Sequence, residues 1–237
     1  MPYSWDIVEG NVPGHSSINK FGHNGNVAAT LETIWSAGGV YPYMAIADQL
    51  EVLSSNDEDG GAGGDTGALT MQIFGLDTNY DQIDETVTLN GVTVVTTTAS
   101  FLRVFRAKVL TAGATGWNIG VITIRDQDTD TTRASIEATK NQTLMAVYTV
   151  PADMTGFITS WYMSTISNLA TEVELYVRPF GSVLQVKRHF HIIQDIFAET
   201  IDFPEKVTEK SDIEVRALSA GGGGDVSAGF FMWIEEN

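Results

Sequence analysis

Glu85-Thr86-Val87-Thr88-Leu89-Asn90-Gly91-Val92-Thr93-Val94-Val95 is the stretch that decides the fold class. Apolar and hydroxyl side chains alternate with period two, and an extended strand sends successive side chains to opposite faces. Asn90-Gly91 interrupts the alternation with two residues that tolerate positive φ, as a two-residue type I′ turn requires. The stretch therefore predicts a β-hairpin in which Leu89 faces Val92 and Val87 faces Val94. Thr88 then lies opposite Thr93 on the other side. One face is apolar and the other carries hydroxyls, as in a sheet with one buried face.

Outward from this hairpin the same period recurs. Leu69-Thr70-Met71-Gln72-Ile73 alternates as a half-buried strand does. Glu172 to Arg178 sets Val173, Leu175 and Val177 inward, and Ile213, Val215 and Ala217 mark a further inward face. The final stretch aligns Ala228, Phe230, Met232 and Ile234 on one side. Further strands are expected at 117–124, 143–150, 156–163 and 183–193; Pro151 ends the second of these because it cannot donate to a ladder. Phe101 to Leu110 fits a helical stripe through Phe101, Val104 and Phe105 as well as a strand. Its strand neighbours and Thr96-Thr97-Thr98 favour the strand. Many short strands between Gly- and Asp-rich turns read as an all-β sandwich or barrel.

Residues 1–39 differ. They are rich in Gly, Asn and His, carry Pro2 and Pro13, and show little period-two pattern, which reads as an extended N-terminal arm. Tyr3, Trp5, Ile18 and Phe21 give that arm apolar anchors for docking on its own core or on a neighbour. Two β modules follow, 40–140 and 141–237, which also read as one continuous sandwich. A strand, glycine loop and strand from Glu51 to Ile73 is echoed from Glu214 to Ile234, a pattern that either two related modules or coincidence produces.

The sequence has 237 residues, no cysteine, and 30 acidic against 13 basic side chains, a formal charge of -17. The missing cysteines remove disulfides, thiolate metal sites and cysteine nucleophiles. The negative charge repels phosphate backbones and anionic lipids, so neither nucleic acid nor a membrane surface is an expected partner. The N-terminus lacks the basic and apolar regions of a signal peptide, and no apolar run approaches the ~20 residues of a membrane-spanning helix.

Local chemistry is sparse. His189 and His191 share a strand face at a spacing that can ligate zinc. Gln185 and Lys187 extend that face while Leu184, Val186, Phe190 and Ile192 take the other, so it reads as a solvent-facing or interface stripe. His15 and His23 have no third ligand pattern. Asp126-Gln127-Asp128-Thr129-Asp130 resembles the start of a calcium loop but lacks the turning glycine and the downstream bidentate Glu. Asn56-Asp57-Glu58-Asp59 before a glycine run reads as a solvated loop, with weak cation binding open for both acidic loops. The glycine loops 60–64 and 221–224 lack the Gly-Lys-Ser/Thr of a phosphate loop, and no Gly-x-Ser-x-Gly elbow exists. Any two carboxylates can meet in a fold, but no local spacing designates an acid–base pair. No catalytic residue, metal site or cofactor is assigned, and the expectation is a protein that is not an enzyme.

Several stretches resemble virion structural proteins of tailed bacteriophages, especially marine, short-tailed ones. They are Gly14 to Asn24, Ile34-Trp35-Ser36-Ala37-Gly38-Gly39 with Tyr41-Pro42, Gly75-Leu76-Asp77 to Gly91, Leu144 to Ala152, and Lys210 to Ala217 through Asp225 to Phe230. The resemblance spans nearly the whole chain and consists of turns and strands, not of a catalytic motif. It implies a jelly-roll-like antiparallel β-sandwich that decorates or cements a capsid from the particle surface. The alternative it leaves open is a neck, tail or fibre component touching the host surface. The implied partners are the major capsid protein or other virion proteins and further copies of the chain itself, with a trimer favoured.

Overall fold

A computed structural model describes residues 2–61 and 63–237. The chain divides into two compact units, residues 1–40 with 146–237, and residues 41–145. In chain order the first unit opens with α1 (Pro2–Val8), β1 (His15–Val27) and β2 (Glu32–Thr33). The second unit holds β3 (Asp48–Ser54), β4 (Ala68–Leu76), β5 (Gln82–Thr88), β6 (Val95–Phe101), β7 (Arg103–Ala112), β8 (Ile122–Asp126) and β9 (Thr132–Ile136). The chain then returns to the first unit for β10 (Val147–Thr149), β11 (Met154–Thr165), β12 (Thr171–Arg178), β13 (Gln185–Ile192), β14 (Ile196–Val207), β15 (Asp212–Ser219) and β16 (Gly224–Glu236). The all-β antiparallel sandwich expected from the sequence is the observed class.

In the first unit one sheet runs β1-β16-β11-β14 and the other β10-β15-β12-β13, with β2 also paired to β15. Of the connections from β10 to β16, only β12–β13 stays within a sheet; every other one crosses to the opposite sheet. The inward faces are those that the alternation predicts. Val173, Leu175, Ile213, Val215, Ala217, Ala228 and Phe230 are wholly buried with Trp161 and Met163. Each large apolar side chain so buried contributes about 1.5–3 kcal/mol.

Residues 15–27, within the stretch expected as an extended arm, form a strand paired with β16 along its length, from His15 opposite Glu235 to Val27 opposite Gly224. The period was hidden because several inward positions are not apolar. Asn24 is buried and donates to Glu32 Oε1 at 2.9 Å, and that carboxylate also accepts from Ala28 N and Gly39 N at 2.9 Å each. Gly22 is buried for want of room: a Cβ there would stand 2.1 Å from Ile34 O and 2.6 Å from Ala146 N.

In the second unit the sheets run β6-β3-β8-β9 and β5-β4-β7, and their edges approach on both sides, β5 beside β6 and β7 beside β9. The Glu85 carboxylate links one of these seams by accepting from Thr98 N and Ala99 N, both at 2.8 Å. Leu50, Val52, Met71, Ile73, Ile122 and Ile124 are wholly buried inside.

The hairpin expected at Asn90-Gly91 does not form. β5 pairs with β4, Val87 opposite Met71, whereas β6 pairs with β3, Val95 opposite Val52. A turn forms one residue further on, with Gly91 and Val92 at its centre: Thr93 N donates to Asn90 O at 3.0 Å, and Gly91 but not Asn90 has positive φ, at +60°. Its backbone is already engaged elsewhere: Gly61 N donates to Leu89 O at 2.7 Å and Gly91 N to Asp59 O at 2.8 Å. The chain therefore crosses between sheets instead of folding back. Val87 and Leu89 are buried as expected, but Val92 is 50% exposed.

Two further boundaries shift, and one strand face changes. The strand expected at 117–124 begins only at Ile122. Asn118 is buried and donates to Gly120 O and Glu137 O at 2.7 and 2.8 Å, which shapes a loop. The strand expected at 143–150 is divided between units: Thr143 N donates to Ala107 O in the second, and Val147–Thr149 pairs with β15 in the first. In β13 a register shift opposite Leu175/Tyr176 turns Val186 outward, against its expected inward place. The ambiguous 101–110 segment is strand, the end of β6 and most of β7.

Asp59 is the wholly buried polar hub of the second unit. Its Oδ1 accepts from Ala68 N and Ile119 N at 2.8 Å each, and its Oδ2 from Ser54 Oγ at 2.6 Å and Gly120 N at 2.7 Å. Asp59→Asn would turn an NH2 group toward donors, and losing charge-assisted bonds in a buried site costs on the order of 3 kcal/mol. The expected outcome is a lowered urea midpoint and faster amide exchange at Ala68, Ile119 and Gly120. Gly22→Val should likewise destabilise the first unit, by about 3 kcal/mol or more, because backbone and not a flexible side chain stands in the way.

Candidate functional site

The sequence nominated Tyr3, Trp5, Ile18 and Phe21 as interface residues. The Tyr3 side chain lies outside the described residues. Trp5 stands on α1 with 71% of its surface exposed. Ile18 lies opposite Met232, on the inward side of its sheet, whereas Phe21 lies opposite Gly229 on the outward side. The nominated side chains are thus separated, and Phe21 joins a different set.

That set is an aromatic face on the outside of the β1-β16-β11-β14 sheet. Register places Phe157 opposite Trp233, and Tyr162 opposite Gly229. The Phe157 and Trp233 rings stack with centroids 5.3 Å apart, and Tyr162 and Phe231 are tilted at 5.6 Å. Gly229 leaves the space that the Tyr162 ring fills, since a Cβ there would meet Tyr162 Oη at 2.6 Å. Burial raises the Tyr162 pKa, so its hydroxyl stays protonated. Phe231 remains 43% exposed. The alternation Phe230-Phe231-Met232-Trp233 could have revealed this face, because both its phases are apolar. A sheet buried on one side needs only one.

The other sheet carries a charged face built from β12, β13 and β15, on the side away from Val173, Leu175 and Val177. Register sets Glu172 opposite His191 and Glu174 opposite His189, with Glu174 also opposite Arg216. Its buried carboxylates are each engaged. Glu214 accepts from Thr33 Oγ1 at 2.7 Å and Arg216 Nε at 3.0 Å. Asp212 accepts from Thr149 Oγ1 at 2.6 Å and Arg178 Nε at 2.9 Å. Glu174 accepts from Tyr176 Oη and lies 2.8 Å from His189 Nδ1. Burial, then the neighbouring Glu174 carboxylate, pushes the Tyr176 pKa up. His189 and His191 are exposed, as the sequence placed them. His15 and His23 lie apart from them, beside Glu235 at 3.2 Å and Asp225 at 3.1 Å.

Neither acidic loop gathers carboxylates around a common point among the described residues. Asp126 Oδ1 accepts from Thr129 N, Thr129 Oγ1 and Thr131 N at 3.1, 2.7 and 3.0 Å, and Oδ2 accepts from Arg133 Nε at 3.0 Å. Its lone pairs thus hold the β8–β9 turn. In the other loop Asp59 is the hub described above, and Glu58 Oε2 accepts from Thr66 N and Oγ1 at 3.2 and 2.8 Å, closing the glycine loop. Gly221, Gly222 and Gly223 all have positive φ and shape the β15–β16 turn.

No protein-family model matches this sequence, and no curated protein matches it. Among solved structures, the Gx strain of infectious bursal disease virus is similar over 99% of this chain and 78% of that one, at 10% identity and a TM-score of 0.26. The VP2 subviral particle of the same virus is similar over 100% and 78%, at 10% identity and a TM-score of 0.22. Similarity at that level does not establish a shared fold.

Asp126 offers a pH test. Burial raises its pKa, but the hydrogen bonds from Arg133, Thr129 and Thr131 and the Arg133 charge outweigh that and hold it below the ordinary carboxylate value. Its folded pKa is therefore lower than its unfolded one. The stability it adds is complete above the unfolded value of about 3.9 and is lost as pH falls through the folded value. Wild type should lose stability below about pH 4 more steeply than Asp126→Asn, read as the difference in urea midpoints across an acid series.

Proposed function

We propose that the chain is a non-catalytic structural component of a virion, a protein that decorates or cements a capsid from the particle surface. The observation that carries this reading is the strand order of the first unit. The two sheets, β1-β16-β11-β14 facing β10-β15-β12-β13, with every connection from β10 to β16 crossing between them except β12–β13, support a jelly-roll-like arrangement. That architecture recurs in viral capsid, lectin and cupin domains, so the fold alone does not choose among them. The resemblance of residues 14–24, 34–42, 75–91, 144–152 and 210–230 to phage virion proteins favours the first.

The mechanism is adhesion. Phe21, Phe157, Tyr162, Phe231 and Trp233 offer an apolar face on one sheet, and exposed aromatic side chains are the usual anchors of protein interfaces. Burying a few hundred Å2 of it adds several kcal/mol per contact, at about 25 cal/mol per Å2 before ordering costs. Repetition over a shell multiplies weak contacts by avidity. The charge of -17 keeps copies from associating non-specifically. Partners in this reading are the major capsid protein and further copies of the chain, with a trimer favoured.

A second reading, a neck, tail or fibre component, draws on the same face, since flat aromatic surfaces also suit sugars on a host. Immunogold labelling of intact virions separates the two. Gold over heads supports decoration, and gold confined to tails or fibres replaces it with the second reading. Point changes test adhesion better than truncation, because removing residues 1–25 deletes most of β1. Phe231→Ser with Trp233→Ser should lower occupancy on undecorated capsids at least about tenfold, equal to 1.4 kcal/mol per contact. Unchanged occupancy would remove the aromatic face from the mechanism.

A further inference from the structure

We propose that Glu172, His189 and His191 form a binding site for a single zinc-class divalent cation on the outer surface of the β12–β13 hairpin. One potential ligand atom from each of the three lies within 4.8 Å of the other two. The two histidine Nε2 atoms converge to 3.1 Å. Two nitrogens bound to one tetrahedral zinc at about 2.0–2.1 Å stand roughly 3.4 Å apart, so the imidazoles need almost no movement to share an ion. Their rings meet edge to face, with centroids 4.8 Å apart.

The surroundings of His189 point the same way. Its Nδ1 lies 2.8 Å from Glu174 Oε1, whose side chain is only 9% exposed. A histidine that ligates through one nitrogen and gives its other N–H to a carboxylate is the common arrangement in zinc sites. That bond fixes the tautomer, leaving the Nε2 lone pair free to bind the ion. Glu174 is itself tied by Tyr176 Oη, which is held as a protonated donor by burial and the neighbouring carboxylate. Glu174 is thus a positioning residue, and Glu172, across the ladder from His191, is the third ligand.

The alternative account of the pair is a hydrogen bond between two neutral imidazoles on an ordinary polar face. It explains the 3.1 Å separation and leaves Glu172 Oε1 at 3.8 Å from His189 Nδ1, a loose contact beyond hydrogen-bond reach. The zinc account uses Glu172, both histidines and the buried Glu174 together. Three protein ligands leave a fourth position open to solvent, and the ion would cross-link adjacent strands at a sheet edge, since β13 ends its sheet. The expected consequence is a stiffer hairpin and a higher melting temperature with zinc, because a ligand that binds only the folded state stabilises it.

The experiment is calorimetric titration of the purified, metal-stripped chain with zinc chloride. It is paired with melting curves with and without zinc and with visible spectra of the cobalt-loaded protein. Wild type should bind one zinc per chain, gain melting temperature and give the intense bands of tetrahedral cobalt. His189→Ala and His191→Ala should each abolish all three signals. His191→Ala, whose side chain is exposed, should melt as wild type does without metal, whereas His189→Ala also removes a partner of the buried Glu174 and should melt lower. Should an alanine variant fold poorly, His189→Gln or His191→Gln takes its place. Glu174→Gln, which touches no metal, should weaken affinity about 10–100-fold, and Glu172→Gln should also weaken it. His15→Ala and His23→Ala should leave binding unchanged. Absence of saturable binding to wild type, or binding that survives loss of both His189 and His191, overturns the site. Unchanged affinity in Glu172→Gln overturns the three-ligand assignment.

Discussion

Three backbone hydrogen bonds close a ring where the chain leaves the first unit and where it returns. Ile34 N donates to Val215 O at 2.9 Å, Val215 N to Ala146 O at 3.1 Å, and Ala146 N to Ile34 O at 2.9 Å. β2 and β10 both pair with β15, one on each side of this ring, so two short pieces of chain do the work of one strand. Residues 41–145 intervene between the two pieces. Backbone groups buried at such a junction must find partners or cost about 1–3 kcal/mol each, and the ring supplies them. Gly22 lies against it so closely that any side chain there would displace backbone. The continuity of the β10-β15-β12-β13 sheet at this junction therefore depends on an atom that β1 lacks.

The two units then solve one problem in different ways. A sandwich must satisfy the polar groups that its loops carry inward. In the second unit a single carboxylate, Asp59, gathers donors from residues 54, 68, 119 and 120, and so joins two strand ends and a loop that are far apart in sequence. In the first unit the load is spread along β12 and β15, where Glu174, Asp212 and Glu214 each have their own partners. Hydrogen-bonded carboxylates of this kind contribute little net stability in themselves, but removing one partner leaves a buried charge exposed to its full desolvation cost. They specify arrangement more than they add stability.

This explains what could be read from the sequence. Strands whose inward side is wholly apolar were legible, as in Val173-Leu175-Val177 and Ala228-Phe230-Met232-Ile234, because period-two alternation is a local property. β1 was not, because Gly22 and Asn24 fill inward positions for reasons that lie in residues 32, 34 and 146. Asn90-Gly91 marked the neighbourhood of a turn, one residue early, and a hairpin wrongly: turn chemistry is local, but the partners of Leu89 and Gly91 are Gly61 and Asp59. The nominated anchors fared likewise, since parity along β1 sends Ile18 and Phe21 to opposite faces. The histidine pair was visible as His-x-His, yet its carboxylates come from the neighbouring strand as Glu-x-Glu. The signal was two like motifs at the same spacing, facing each other across the short connection between β12 and β13.

The two sheets of the first unit therefore present different chemistry outward, and the sandwich makes that division unavoidable. Each strand has one inward phase, which the common core fills with apolar side chains, so only the outward phase is free to vary. On β11 and β16 that phase is aromatic, and on β12 and β13 it is carboxylate and imidazole. An apolar outer face is an unstable end point for a single chain in water, since it retains surface that association would bury. A face of paired charges has no such drive, because its groups already have partners or water. In the proposed reading, association through the β1-β16-β11-β14 sheet, with the β12–β13 hairpin left facing solvent, is the arrangement that leaves both faces in the medium that suits them.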